Sequence, residues 1–151
     1  MTEKAKPVVI RSSRYGEFTA EPQQIYRFER GLIGIPEPVQ YALVPFGTSP
    51  FSILHALDRD LSFILLPAAQ LGTGYEFTID SDVVELLQAK QPEDLSVMLV
   101  VNVLESRLHV NLKAPVLIHP SLNRGCQYLI TDRDYPIRYP LAPEERAVCS
   151  S

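Results

Sequence analysis

His55 stands three residues before Asp58 and five before Asp60, and an imidazole beside two carboxylates is the raw material of acid–base or metal chemistry. That chemistry needs the three groups to converge, as they would on a helix. The flanking residues read as strand, in which His55 and Asp58 point to opposite faces and Asp58-Arg59-Asp60 forms a charged turn. His109 and His119 have no CxxC or HExxH companion, so surface or structural roles are expected for both. Cys126 and Cys149 cannot make a zinc set alone, and there is no Gly-x-Ser-x-Gly elbow. Gly31-Leu32-Ile33-Gly34 lacks the third glycine and the helix of a phosphate cradle. Pro36 and Pro38 follow instead, so it reads as a bend between strands. A binding protein without metal, cofactor or catalysis is expected. The rival is a small acid–base enzyme using His55 with Asp58 or Asp60.

The charge balance says what such a protein could bind. Net charge is −4, but Lys4, Lys6, Arg11 and Arg14 crowd the first fourteen residues against Glu3. Taking those four from the 14 basic residues and Glu3 from the 18 acidic ones leaves the body at −7. A surface that tracks phosphates needs clustered Lys and Arg, so direct nucleic-acid binding is not expected. Asp80, Asp82, Glu85, Glu93 and Asp94, opposed locally by Lys90 alone, would form a negative patch if they share a face. Of the apolar runs, Phe63 to Ala69 is broken by Pro67 and Val97 to Leu104 is strand-sized, so neither is a membrane span. With two distant cysteines and no secretory signal, reduced thiols in a cytoplasmic protein are expected.

The elements that must carry these residues are mostly strands. Thirteen prolines exclude long helices almost everywhere. One short helix is predicted near 82–90, where Asp82 and Glu85 have capping-box spacing and Val83, Val84, Leu86 and Leu87 give an apolar side. Elsewhere the period is two. Leu108, Val110, Leu112 and Ala114 alternate with Arg107, His109, Asn111 and Lys113, a half-buried strand whose polar face offers a surface for a partner. Glu105-Ser106 is read as its tight connection to Val97–Leu104, the two pairing in the middle of the sheet. Further strands are predicted at Val8–Arg11, Phe18–Ala20, Ile25–Phe28, Tyr41–Pro45, Ser52–Ala56, Leu61–Leu66, Tyr75–Ile79, Val116–His119 and Gln127–Thr131. The expected fold is all-β, mainly antiparallel, barrel-like or sandwich-like. It divides into a basic arm over 1–9, one domain over 10–141 and a frayed tail over 142–151. Pro115 is expected at an edge or kink, and Tyr135 and Arg138 are expected to anchor the closing segment around Pro136.

Four ordered blocks carry a resemblance. Phe28-Glu29-Arg30-Gly31-Leu32-Ile33-Gly34-Ile35 is similar to the F-P-x-G-L-x-G-F stretch of the flagellar assembly factor FliW family, with Glu29 and Ile35 departing from it. Ser49-Pro50-Phe51-Ser52-Ile53-Leu54, with Asp58 and Leu61-Ser62-Phe63, resembles the next block. Asn111-Leu112-Lys113-Ala114-Pro115-Val116-Leu117-Ile118 and Asp134-Tyr135-Pro136-Ile137-Arg138 resemble two C-terminal signatures. The resemblance implies a non-catalytic cytoplasmic protein that binds flagellin and, alternatively, the translational repressor CsrA. It would antagonise CsrA allosterically, away from its RNA surface, so that flagellin translation follows export. A flagellin secretion chaperone without RNA control is the nearest alternative. Phe28, Gly31, Leu32, Gly34, Pro50, Phe51, Ala114, Pro115, Tyr135, Pro136 and Arg138 are then expected to be structural, with Gly31, Gly34, Pro115 and Pro136 meeting backbone demands. Contacts to partners are expected from Asp58, Asp60, the five acidic residues 80, 82, 85, 93 and 94, and the polar face Arg107, His109, Asn111 and Lys113.

Overall fold

Proline and turn residues cut the chain into short extended runs, and each run pairs with a neighbour to satisfy its main chain. The computed structural model describes residues 6–72 and 74–141. These form β1 (Val8–Ser12), β2 (Gly16–Ala20), β3 (Ile25–Phe28), β4 (Val39–Pro45), β5 (Ser52–Ala56) and β6 (Ser62–Pro67). The helix α1 (Ser81–Leu87) follows, then β7 (Ser96–Leu104), β8 (Arg107–Val110), β9 (Val116–His119), β10 (Arg124–Gln127) and β11 (Tyr139–Pro140). Residues 1–5 of the predicted arm and the whole predicted tail lie outside the described residues, as does Cys149; Val8 and Val9 already belong to β1.

Strands β3 to β7 run as an antiparallel meander, and β7 also pairs with β9, which pairs with β10. A parallel pairing of β10 with β3, Arg124 opposite Arg27 and Gly125 opposite Phe28, closes a seven-stranded barrel. Closure removes the sheet edges that an open meander would expose. The fold is therefore all-β and barrel-like, as expected.

Alternation along each strand separates inside from outside. Tyr26, Phe28, Tyr41, Leu54, Leu65, Met98, Val116 and Ile118 form the interior cluster, with Phe28 set edge-on to Tyr41 at 5.1 Å between centroids. The intervening residues face outward and are covered in turn. The β1–β2 hairpin lies over Ala42, Val44 and Ile53, while α1 sets Val83 and Leu87 among Leu117, Cys126, Tyr128 and Ile130.

Several predicted elements need correction. Tyr75–Ile79 is extended but is not a strand. Its main chain is held by side-chain hydroxyls: Tyr135 spans Glu76 N–H and C=O at 3.0 and 2.8 Å, and Tyr128 spans Asp80 N–H and Thr78 C=O at 3.2 and 3.1 Å. The strand placed at Gln127–Thr131 ends at Gln127 and begins at Arg124, with Asn123 before it at φ +55°. Beyond it, Tyr128 N–H donates to Pro115 C=O and Ile130 N–H to Lys113 C=O, both at 2.8 Å. The strand from Arg107 stops at Val110, because the Asn111 side chain accepts the N–H groups of Lys113 and Ala114 at 3.0 and 3.1 Å and folds the chain into an Asx turn. β8 does pair with β7 through the Glu105-Ser106 turn, both residues at positive φ, yet it lies outside the closed ring, between β7 and β11. The helix spans 81–87 rather than 82–90. Gln88 at φ +57° ends it, and its N-cap is Asp80, so Asp82 and Glu85 sit within the helix and form no capping box.

Candidate functional site

His55 points outward from β5 and is 2% exposed beneath the β1–β2 hairpin, edge-on to Phe18. Its Nδ1 lies 2.7 Å from the Ala56 carbonyl and its Nε2 lies 3.4 Å from an Asp60 oxygen. Asp60 also accepts the Ser13 N–H at 3.2 Å, and the bonds from Ser13 pull its carboxyl below the ordinary range. The group thus ties the hairpin's turn to the β5–β6 turn. Asp58 does not join it; two nitrogens of Arg59 donate to it at 3.1 and 3.0 Å and hold its carboxyl low. The rival enzyme's pair therefore meets only as His55 with Asp60, in a contact whose other partners are structural.

Of the five acidic residues, Asp80 is the N-cap of α1, Asp82 and Glu85 lie on the helix, and Glu93 and Asp94 lie in the 3-10 turn Pro92–Asp94 that follows. Asp82 pairs with Arg30 at 3.3 Å, joining the helix to the first family-like block. Asp94 turns inward to accept the N–H groups of Lys90 and Gln91 at 2.8 and 3.2 Å, and these bonds, the Lys90 one foremost, lower its pKa. Asp80, Glu85 and Glu93 are exposed, without a cation within 4.0 Å among the described residues.

The expected polar face of β8 divides. Arg107 is exposed beside the hairpin turn, while Asn111 is spent on its Asx turn and Lys113 reaches the Ile130 carbonyl at 3.3 Å. His109 is half-buried with its Nδ1 unpartnered, and His119 is buried with its Nδ1 unpartnered. Cys126 is a buried free thiol whose pKa is raised by burial.

The family-like blocks interlock. Gly31 at φ +63° makes the turn that lets Leu32 and Ile35 exchange bonds of 2.8 Å. A Cβ there would overlap the Ile35 carbonyl oxygen. The Gln127 amide joins this block to the third, accepting Ile33 N–H at 2.9 Å and donating to Ala114 C=O at 3.0 Å. Pro115 is fully buried at the kink before β9. Leu112 is bonded on both sides, its N–H to Pro136 C=O at 3.0 Å and its C=O to the Tyr75 hydroxyl at 2.7 Å, so the third and fourth blocks close on each other. Burial of Tyr75 raises its hydroxyl pKa far above the ordinary value. In the second block Ser49 Oγ donates to Phe46 C=O at 2.6 Å, shaping the loop that carries Pro50 and Phe51. Tyr135 anchors its segment as expected; Arg138 is exposed and makes no ion pair among the described residues.

An open groove of about 770 Å3 lies where β6 and β7 diverge, between the turns of the β1–β2 and β4–β5 hairpins. Phe46, Phe51, Phe63 and Val103 give it apolar walls, and Arg14 and Asp60 supply charge. Sequence reasoning missed it, because its residues come from five segments with no shared spacing; the exposure of Phe46 and Val103 emerges only on folding.

Among the described residues no helix is long and apolar enough to cross a membrane. The FliW protein family model matches residues 9–141. A flagellar assembly factor FliW of Caldicellulosiruptor saccharolyticus is 33% identical over 134 residues, covering 87% of this chain and 88% of that protein. The corresponding protein of Geobacillus sp. strain WCH70 is 29% identical, covering 91% and 98%. A crystal structure of the flagellar assembly factor FliW matches with a TM-score of 0.80 at 28% identity, over 91% of this chain and 99% of that one. With the four blocks holding one another in a barrel of the same shape, the chain belongs to the FliW family of flagellar assembly factors.

Proposed function

We propose that this protein couples flagellin supply to translation in the cytoplasm, binding newly made flagellin and, when flagellin is exported, CsrA. The observation that carries this reading is family membership over nearly the whole chain. The negative body suits it: a carrier at −4 overall, with Asp80, Glu85 and Glu93 exposed and in no ion pair among the described residues, favours a basic partner and repels RNA from a complex it joins. The protein itself contacts no nucleic acid in this scheme, and it acts by binding rather than catalysis.

The deciding experiment is a competition titration of purified flagellin against purified CsrA on the full chain. Mutually exclusive binding supports the switch. Capture of flagellin without CsrA would favour a secretion chaperone, and capture of neither would refute both. Neutralising Asp80, Asp82, Glu85, Glu93 and Asp94 together should weaken CsrA capture at low salt; unchanged affinity would remove the patch from the mechanism.

A further inference from the structure

In an antiparallel ladder, successive residues turn their main-chain groups alternately to the two neighbouring strands. Ala56 N–H donates to Leu61 C=O at 2.9 Å, which sets the phase between β5 and β6. Phe63 therefore bonds Leu54 on β5, while Ser62 and Ile64 face the β7 side. Ile64 meets Val101, and the β6–β7 ladder stops there. On β7 the phase is set by Asn111 N–H donating to Val100 C=O at 3.0 Å, so Asn102 and Leu104 bond β8 and Val103 faces β6. Past Phe63 and Asn102, Ser62 and Val103 would be the next hydrogen-bonded pair in register. Instead the strands part, and their main-chain groups face the groove with no ladder partner among the described residues.

The walls continue the pattern. Phe63 and Val103 are apolar, Val103 is 65% exposed, and Phe46 overhangs from the β4–β5 loop at 43%. Arg14 contributes a guanidinium without a carboxylate partner among the described residues, whereas Asp60 is already taken by Ser13 and His55. We propose that the split between β6 and β7 binds an extended segment of a partner protein, which adds as a strand between Ser62 and Val103, seats apolar side chains on the phenylalanines and presents a carboxylate to Arg14. Main-chain pairing on an unfilled edge supplies affinity, and the alternate pockets supply selection. A second copy of this chain is a poor occupant: two-fold symmetry would set one concavity against another. The partner's identity rests on the function proposed above; the groove's use is tested separately.

The experiment is amide exchange on the 15N-labelled full chain with purified flagellin, then with purified CsrA. One of them should slow exchange at Ser62 and Val103 by about tenfold or more. Val103→Pro removes an N–H that the β7–β8 ladder does not use, and Arg14→Glu reverses an exposed charge; each should weaken that partner by roughly tenfold. Arg14→Glu keeps the test valid should the proline variant fail to fold. Binding with both amides and both variants unaffected overturns the groove while leaving the proposed function standing. Protection that rises with this chain's own concentration, without a partner, also overturns it in favour of self-association. If neither protein binds, the proposed function fails and this occupant with it.

Discussion

Gly125→Ala adds one methyl group at the seam where β10 closes on β3. Gly125 pairs directly with Phe28, and a Cβ at this position would come within 2.8 Å of the ring's Cζ, Cε1 and Cε2. The ring has nowhere to retreat, since Phe28 and Tyr41 are both 0% exposed and already in edge contact. Backbone strain does not enter, because Gly125 is not at positive φ. The cost is overpacking, about 2–3 kcal/mol in an interior this tight. For a chain of this size that corresponds to a loss of roughly 4–12 °C in melting temperature. In urea, with m of roughly 2 kcal/mol/M, the midpoint falls by about 1 M. Phe28→Leu alone should cost about 1–2 kcal/mol through the space it leaves. The two changes together should cost less than their sum by about 1 kcal/mol or more, because the smaller side chain makes room for the methyl. Urea titration of all four proteins measures this cycle. An unchanged midpoint for Gly125→Ala, or strict additivity, would show that the seam is looser than the packing described.

Gly31→Ala combines positive φ with overlap on fixed carbonyls and should cost about 3 kcal/mol or more, whereas Gly34→Ala, at φ +90° with open space around it, should cost about 1 kcal/mol; thermal unfolding of the pair separates strain from crowding. Tyr75→Phe strips the buried Leu112 carbonyl of its hydroxyl donor and should cost about 1–2 kcal/mol in urea unfolding. Asp60 has its folded pKa lowered from 3.8, so its contribution is present above that value and is lost as pH falls through the folded pKa. Asp60→Asn should flatten the fall in urea midpoint below about pH 4, and an unaltered acid profile would deny the Ser13–Asp60 link that role.

Periodicity made most of the strands legible, but not their pairing beyond the β7–β8 hairpin. Ile25–Phe28 and Val116–His119 were readable from branched and aromatic runs, and the Glu105-Ser106 turn from its position between two such runs. Tyr75–Ile79 shows why the same signal misled: a period of two reports an extended segment with one face buried, and that segment gets its hydrogen bonds from tyrosine hydroxyls 50 and 59 residues away in sequence. Asn111 ended a strand through its own side chain, against an alternation that stays apolar through Ala114. The acidic residues were visible as charge, yet composition could not show that Asp94 would be spent on two local amides while Glu85 stayed exposed. The β6–β7 split was hidden for a different reason: it depends on where a ladder stops, which no local pattern encodes.

The seam between β3 and β10 also sets a schedule. Arg27 must wait for Arg124, 97 residues later in the chain, before its side of the ring is complete. At ordinary rates of synthesis that interval is on the order of 5 to 20 s, during which the early meander leaves the ribosome with one border bare. A chain stopped before β10 would keep that border unpaired and open to edge-to-edge association, so the ring is complete only once Arg124–Gln127 has been made.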